Sequence, residues 1–91
     1  MLDTTDIFKT LANAHRVRIL ELLFSSNKEM CVNELSEKLG IGQSLTSQNL
    51  SYLATRNIIE PKRYGQTTCY VPANTAQSKL VQKILTAANA N

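Results

Sequence analysis

The sequence has few of the features of a membrane protein, a secreted protein or a multidomain chain. No apolar run reaches the ~18–20 residues that a membrane-spanning helix needs. The N-terminal stretch MLDTTDIFKT is acidic and polar, unlike a signal peptide, so we expect a cytoplasmic protein. No repeat, linker or low-complexity segment divides the 91 residues, and this length suits one domain, residues 1–91.

Residues for catalysis or metal binding are scarce as well. The single histidine, His15, lies beside Arg16 at the start of a predicted helix and is interpreted as a surface or capping residue. No Ser-His-Asp set and no glycine-rich phosphate loop is recognisable, so we expect neither enzymatic activity nor a cofactor. One histidine and two cysteines fall short of the four ligands of an ordinary structural zinc site, so no metal site is predicted.

Acidic residues are absent from the last third of the sequence. The last one is Glu60, and Lys62, Arg63, Lys79 and Lys83 follow it. The net charge of the whole chain is +3, a value shared by many proteins that bind no polyanion. The uneven distribution of acidic and basic residues is more informative than the net charge, because a basic second half suits a polyanionic partner on that side of the fold.

The hydrophobic pattern predicts five helices, one short strand and one hairpin. Asn33 is expected to cap the third helix, and Gly40 is expected to end it. Gly65 is expected to adopt a positive φ in a tight turn between the hairpin strands. The predicted helices span residues 4–11, 15–24, 34–39, 43–55 and 75–88, the short strand is MCV at residues 30–32, and the hairpin covers residues 58–72.

The spacing of these elements is typical of a winged helix-turn-helix. The third and fourth helices are joined by the short GIG link, residues 40–42, as in a helix-turn-helix. The hairpin follows at once, and Lys62 and Arg63 place positive charge near its tip. We therefore predict a mainly α fold of five helices, with a small β-hairpin as the wing.

The predicted fourth helix, residues 43–55, carries no charged side chain. On a helical wheel, Thr46, Leu50 and Leu53 fall together and are expected to face the core. The opposite side consists of hydroxyls and amides. Its residues are Ser44, Ser47, Gln48 and Ser51.

A neutral face of amides and hydroxyls suits a helix that lies in the major groove. Glutamine pairs with adenine, serine donates to bases or phosphates, and no acidic side chain repels the DNA backbone. Gly42 leaves the first N–H groups of the helix open to a phosphate oxygen. A solvated face of a structural helix is the alternative, but the adjoining turn and the basic hairpin favour DNA. We predict base contacts from Gln43, Ser44, Ser47 and Gln48, and contacts to the DNA backbone or minor groove from Ser51, Arg56, Lys62, Arg63 and Gln66.

Three segments together resemble the ArsR/SmtB winged-helix repressors over nearly the whole chain. LANAHRVRILELL is similar to the start of the family's second helix, MCVNELSEKLGIGQSLTSQNLSYL to its strand and helix-turn-helix, and IIEPKRYGQTTCYV to its wing. SQNLSYL resembles the family's Ser-Gln-His-Leu pattern with Asn49 in place of His, and LGIGQSLTSQNL most resembles the thiol-based redox branch. Thr46 stands where the family often has a bulky inward aliphatic, so we expect either a slightly rotated helix or packing of Leu45 against Tyr52.

The resemblance implies a homodimer that binds double-stranded DNA at an imperfect palindrome and represses transcription. The two recognition helices are then expected in successive major grooves, roughly 34 Å apart. The family pairs through its first and last helices. In this chain the matching apolar residues are Ile7, Phe8, Leu11, Leu80, Val81, Ile84 and Leu85.

The same resemblance argues against a metal sensor. The family's metal-thiolate site contains a Cys-Val-Cys run, and this chain has Cys31, Val32 and Asn33 there, so one thiolate is missing. The family's site on the last helix uses Asp and His, and residues 73–91 contain neither. No effector can be named from the sequence.

Two cysteines, Cys31 and Cys69, are expected on neighbouring strands of the winged helix. Adjacent antiparallel strands bring Cα atoms to about 4.5–5.5 Å, within reach of a disulfide. The preferred interpretation is a pair of reduced, half-buried thiols that pack like apolar residues. The alternative hypothesis is a redox pair that ties the root of the wing to the helix-turn-helix.

Other functions are compatible with the same fold. A winged-helix module that binds protein, with weak or absent DNA contact, is consistent with the modest net charge and the neutral helix. A regulator that responds to thiol redox chemistry through Cys31 and Cys69 is a further alternative, as is a constitutive regulator without any small-molecule input. A steep dependence of DNA affinity on salt would distinguish a DNA binder from a protein-binding module.

Overall fold

The computed structural model describes residues 3–26 and 28–89, so both ends of the predicted domain, residues 1 and 91, lie outside the described residues. Five helices and a three-stranded sheet form this part of the chain, which confirms the predicted winged helix-turn-helix architecture. The elements are α1 (Thr4–Leu11), α2 (Ala14–Ser25), β1 (Met30–Cys31), α3 (Val32–Leu39), α4 (Gln43–Thr55), β2 (Ile59–Tyr64), β3 (Thr67–Pro72) and α5 (Ala76–Asn89).

Local signals in the sequence explain where α1 and α2 begin and where α3 ends. Asp3 and Asp6 form a reciprocal capping box at the start of α1, in which the Asp3 carboxylate accepts from the Asp6 N–H at 2.9 Å. Asn13 caps α2, because its Oδ1 accepts from the Arg16 N–H at 3.1 Å. Gly40 ends α3 in the left-handed region with φ 67°, as predicted.

The predicted cap of α3 is wrong. Asn33 does not precede the helix; the N-cap is Cys31, its side chain makes no capping hydrogen bond, and α3 begins at Val32. Cys31 is held in an extended conformation because it is paired with β3. The chain therefore passes from strand to helix without an intervening loop, and the cap position is decided by strand pairing rather than by capping propensity.

The sheet has the order β1-β3-β2, with both pairs antiparallel. Strands β2 and β3 form the wing, which closes with Tyr64 opposite Thr67. Gly65 lies in the turn with φ 61°, as expected for a tight hairpin. Because β1 pairs with β3, the wing is joined directly to the strand that leads into the helix-turn-helix.

The core lies between α2, the helix-turn-helix, the root of the wing and α5. On α4 the predicted inward residues Thr46, Leu50 and Leu53 are fully buried. None of the described helices is both long and apolar enough to cross a membrane. The other fully buried apolar side chains are Ile19, Leu20, Leu23, Leu35, Ile58, Ile59 and Val81.

Candidate nucleic-acid interface

The outer face of α4 is exposed along its length. Gln43, Ser44, Ser47, Gln48 and Ser51, the predicted DNA-contacting residues of this helix, all have exposed side chains. The helix presents them because its opposite stripe is anchored in the core. These five side chains form a continuous uncharged polar surface.

Two polar residues of α4 point inward instead, and each satisfies its donor within the helix. The Thr46 hydroxyl donates to the Gly42 carbonyl at 2.9 Å. The Asn49 amide, 6% exposed, donates to the Leu45 carbonyl at 3.0 Å, a burial that sequence analysis had not assigned. Leu45 stays on the outer side with 39% of its surface exposed, so the threonine is accommodated at the inward position without a rotation that would bury Leu45.

The N-terminus of α4 is open. Gly42 is the N-cap, has an extended conformation, and has no side chain to accept from the first N–H groups of the helix. Unpaired N–H groups at a helix N-terminus bind anions because they carry the positive end of the helix dipole. This end of α4 is therefore suited to a phosphate oxygen.

An open cleft of about 440 Å³ separates α4 from the wing, and we call it the helix–wing cleft. Gln43, Ser47 and Ser51 of α4 line it together with Arg63 and Gln66 of the wing. No acidic side chain is among its lining residues in the described part of the chain. The remaining lining residues are Cys31, Val32, Asn33, Thr67, Thr68 and Tyr70.

Three of the cleft residues were missed by sequence analysis. Asn33 was assigned to helix capping, whereas the structure places it, exposed, in the first turn of α3 beside the cleft. Thr67 and Thr68 were predicted only as part of the hairpin, residues 58–72. The signal that identifies them is their position directly after the wing turn, where a returning strand must face the recognition helix.

The other predicted backbone contacts lie outside the helix–wing cleft. Lys62 is exposed on β2, and its ammonium lies 3.8 Å from the Glu60 carboxylate, which offsets part of its charge. Arg56 is half-buried: its guanidinium lies 3.4 Å from the centroid of the Tyr52 ring and donates to the Tyr52 carbonyl at 3.1 Å. Arg56 thus has intramolecular partners at the end of α4.

A hydrogen bond on the surface holds the wing. The phenol of Tyr64, at the end of β2, donates to the carboxylate of Glu29, just before β1. This hydrogen bond raises the pKa of Tyr64, because the carboxylate binds the phenol only while the proton is present. Nearby, a hydrogen bond from Lys28 at 2.8 Å lowers the pKa of Glu34.

The two cysteines are directly opposed between β1 and β3. Cys31 and Cys69 are register partners, their Cα atoms are 3.7 Å apart, and their sulfurs are bonded. The preferred expectation of two reduced thiols is therefore wrong for this structure. Directly opposite residues of antiparallel strands project to the same face of the sheet, which brings the two sulfurs together.

The predicted dimer residues fall into two groups. Phe8 of α1 and Leu80 of α5 are 64% and 48% exposed, and both are available for an intermolecular contact. Ile7, Val81 and Leu85 are buried in the core of the protomer, since each helix turns one apolar stripe inward. Leu11 and Ile84 are half-buried, so their exposure is intermediate between that of the two groups.

His15, the single histidine, is half-buried, and its buried Nδ1 has no hydrogen-bond partner among the described residues. Within residues 3–26 and 28–89, no three His, Cys, Asp or Glu side chains are grouped so that they could hold a metal ion. The polar surface of α4 and the helix–wing cleft are thus the features that call for a functional explanation.

Comparison with known proteins identifies relatives of this arrangement. The family model for bacterial regulatory proteins of the arsR family matches residues 13–60. Nodulation protein NolR of Rhizobium meliloti is 37% identical over 71 residues, which cover 78% of this chain and 57% of NolR. The transcriptional activator HlyU of Vibrio cholerae is 31% identical over 76 residues, which cover 84% of this chain and 68% of HlyU.

A solved structure agrees in fold as well as in sequence. The homodimeric winged helix-turn-helix DNA-binding domain of Mb0332 from Mycobacterium bovis is similar with a TM-score of 0.76 and 28% identity, covering 91% of this chain and 75% of that one. The chain spans little more than half the length of NolR and about two thirds of HlyU. From the family match and these similarities, the chain belongs to the arsR family of bacterial regulatory proteins.

Proposed function

We propose that this chain is a DNA-binding transcriptional regulator that binds an inverted repeat as a homodimer. Helix α4 lies in the major groove, and the wing lies on the flanking backbone. In this proposal residues 1–91 act as one winged helix-turn-helix domain in the cytoplasm, where a bacterial chromosome is transcribed. The observation that carries the proposal is the helix–wing cleft, which unites exposed amides and hydroxyls with a cationic wing and has no acidic lining residue in the described part.

The dimensions and chemistry of α4 fit the major groove. Its 13 residues give a helix of about 20 Å at 1.5 Å per residue, and the groove admits an α-helix. Gln43 and Gln48 have the amide that pairs with adenine in a bidentate manner, and Ser44 and Ser47 supply hydroxyls that donate or accept. These four residues are proposed to contact base edges.

Phosphate contacts then come from the wing and from backbone amides. Arg63 and Gln66 are exposed on the wing side of the cleft, and Ser51 lies across from them. Lys62 adds a second cation on the same hairpin, and the open N-terminus of α4 supplies N–H donors. Such contacts position the protein on DNA and make its affinity depend on salt.

A homodimer is proposed from the exposed apolar residues of the first and last helices. Phe8 and Leu80 are large apolar side chains that a lone protomer leaves in water. Their burial against a second copy is favourable by about 25 cal/mol per Å² of apolar surface removed from water. Mb0332, which is similar in fold, is described as a homodimer. Pairing of two copies would present two α4 helices to half-sites about one helical turn apart.

We propose repression as the regulatory outcome, since a dimer that covers a promoter excludes the polymerase. HlyU, a relative, is described as an activator, so the sign of regulation needs its own assay. A reporter gene placed behind the selected site is expected to fall when the chain is expressed. A rise in reporter output would contradict repression while leaving DNA binding intact.

The experiment that tests DNA binding is a selection of bound duplexes from a random pool, followed by fluorescence anisotropy across a range of salt. We expect enrichment of an inverted repeat, and affinity that falls steeply as salt rises, because several phosphates are neutralised per dimer. Shuffling one half-site while keeping base composition provides the control duplex. Absence of any enriched sequence together with a flat salt dependence would replace the proposal with the protein-binding module.

A further inference from the structure

We infer that Cys31–Cys69 is a thiol–disulfide exchange site that is entered through the helix–wing cleft, so that DNA bound in the cleft shields it. The substrates are small thiols and small disulfides of the glutathione type. The exchange chemistry stands on the geometry of the two cysteines alone. The shielding by DNA rests on the proposed function.

The structure gives the two sulfurs different access. Cys69 is 4% exposed and lies within the sheet. Cys31 is half-buried and lines the helix–wing cleft, whose volume of about 440 Å³ accommodates the thiol end of a small molecule. A reagent therefore reaches the pair at Cys31, from the side on which the recognition helix and the wing face each other.

This asymmetry assigns the steps of the exchange. In oxidation, the Cys31 thiol loses its proton, its sulfur attacks a small disulfide RSSR, and one RS⁻ leaves, which gives a mixed disulfide at Cys31. The Cys69 thiol then loses its proton and attacks the Cys31 sulfur, which releases the second RS⁻. The protein gives up two protons and two electrons, and RSSR becomes two RSH. In reduction, a small thiolate RS⁻ attacks the accessible Cys31 sulfur, and Cys69 leaves as the thiolate and takes up a proton. A second RS⁻ then attacks the outer sulfur of the mixed disulfide, which forms RSSR and releases the Cys31 thiolate to take up the second proton, so that two RSH become RSSR.

Cys31 is placed for the attacking role. It is the N-cap of α3 and lines the helix–wing cleft, whereas Cys69 lies within the sheet. Its partner is brought into line by the register of β1 and β3, which sets Cys31 directly opposite Cys69. The second step consequently needs no rearrangement of the sheet.

The bond also governs how firmly the wing is held. Strand β1 has two residues, both paired with β3. A surface hydrogen bond from Tyr64, at the end of β2, to Glu29, just before β1, adds a non-covalent contact to this pairing. The disulfide is the covalent link between the wing and the strand that leads into the helix-turn-helix. Oxidation holds the wing side of the cleft, with Arg63, against the side of the helix-turn-helix, with Gln43, before DNA arrives, which lowers the cost of ordering the interface. We expect the oxidised protein to bind its site about five- to tenfold more tightly, within the usual range of coupling between two sites.

Occupation of the cleft by DNA blocks the same entrance. Gln43, Ser47, Arg63 and Gln66 line the cleft together with Cys31, and the first four are proposed DNA contacts. A duplex held by these residues covers the Cys31 sulfur. Reduction of the disulfide should therefore become slower by about the ratio of total to unbound protein, because only the free protein exposes the entrance.

The test begins with the full chain equilibrated in a series of glutathione and glutathione disulfide mixtures, quenched with a maleimide and weighed by mass spectrometry. The chain has two cysteines, so each mass reports zero, one or two free thiols directly. We expect two free thiols at the reducing end and none at the oxidising end. Two free thiols in every mixture would overturn the exchange site.

The second measurement is the rate of reduction by glutathione with and without DNA. With saturating selected duplex the rate should fall at least tenfold, whereas a half-site-shuffled duplex at the same concentration should leave it unchanged. Equal rates with and without bound duplex would overturn entry through the cleft. If no duplex binds in either redox state, the proposed function and the shielding fail together, and the thiol count still decides the exchange site.

The third measurement compares DNA affinity of the oxidised protein, the reduced protein and the C31S/C69S variant. The variant should match the reduced protein and ignore the glutathione mixture. Should the variant not fold, the two redox states of the unmodified chain make the same comparison. Equal affinity of the two states would overturn the role of the bond in holding the wing.

Discussion

At the scale of single residues, α4 shows that similar side chains have opposite roles on one helix. Ser44 and Ser47 face solvent. Thr46, which lies between them in sequence, and Asn49, two residues after Ser47, are buried. Each side chain of the buried pair donates a hydrogen bond to the carbonyl four residues earlier in the helix. A polar residue therefore becomes available to a ligand through its position on the wheel and not through its chemistry.

Substitution of Gln48 and of Arg63 should have different effects on DNA binding. Gln48→Ala is expected to cost about 1–3 kcal/mol on the selected duplex and almost nothing on random duplex, because a base contact carries the sequence preference. Arg63→Ala is expected to weaken both duplexes alike and to reduce the salt slope by about 1 per protomer, because a phosphate contact is lost. Anisotropy on both duplexes across salt measures these effects.

A matched control for Arg63→Ala is Lys79→Ala. It removes the same charge from an exposed position on α5, away from the lining of the helix–wing cleft. Lys79→Ala should leave the salt slope close to that of the unmodified chain. Equal losses from Gln48→Ala and Arg63→Ala on specific and random DNA would contradict the assignment of base and backbone contacts.

The Tyr64–Glu29 contact predicts a pH dependence in alkaline solution. The pKa of Tyr64 is raised in the folded chain by the hydrogen bond to Glu29, so this contact stabilises the fold below the ordinary tyrosine pKa of about 10 and is lost as pH rises through the raised value. Phenolate absorbance of the unmodified chain minus that of Tyr64→Phe isolates this titration. Glu29→Gln should return the midpoint to the ordinary range. A midpoint that Glu29→Gln does not change would refute the contact.

At the scale of elements, the turn between α3 and α4 depends on one backbone conformation. Gly40 has φ +67°, and a Cβ added there meets nothing within 4 Å. Any cost of substitution is therefore conformational and not steric crowding by neighbours. The same glycine sets the direction in which α4 leaves α3, and with it the face that α4 presents to the cleft.

Gly40→Ala should lower the free energy of unfolding by about 1–2 kcal/mol, the cost of a left-handed conformation for an ordinary residue. Gly40→Asn is the matched variant and should cost clearly less, because asparagine tolerates this region. Urea denaturation of the three proteins, analysed with a common slope, provides the measurement. If alanine and asparagine were equally destabilising, the backbone explanation would be wrong.

The boundaries of α3 show that strand pairing can override the capping and turn preferences of single residues. Gly40 ends α3 and Gly65 forms the turn of the wing, as predicted, because each position has a positive φ that glycine adopts readily. Asn33 did not cap α3, although asparagine is a good cap. A short strand before the helix, held by β3 far along the chain, moved the start of the helix to Val32. Capping propensity acts over three residues and contains no information about such a partner.

At the scale of the whole molecule, self-association should depend on the exposed part of the apolar stripe on α5. Leu80→Glu places a charge where a second copy would bury a leucine, and about tenfold or more weaker dimerisation is expected. Sedimentation equilibrium measures the dimer constant, and far-ultraviolet circular dichroism should stay unchanged because Leu80 is outside the core. DNA affinity should fall with it, since each protomer then holds one half-site.

Leu45→Glu is the matched control for this prediction. Leu45 is also a partly exposed leucine on a helix, but it lies on α4 and not on the helices of the proposed dimer. Its substitution should leave the dimer constant unchanged. A dimer that withstands Leu80→Glu, or one that dissociates equally with Leu45→Glu, would place the interface elsewhere.

Local sequence signals were sufficient to predict the order of the helices, the tight link before α4, the wing, and the division of α4 into an apolar and a polar face. These follow from periodicity and from glycine at turns, which act over one or two turns of helix and need no distant partner. Tertiary structure decided what depends on packing between distant segments. It buried Ile7, Val81 and Leu85 within the protomer while leaving Phe8 and Leu80 outside, engaged Arg56 with Tyr52, brought Asn33 to the cleft, and set Cys31 against Cys69. The physical reason is that burial and strand register are set jointly by all the elements that meet in the core.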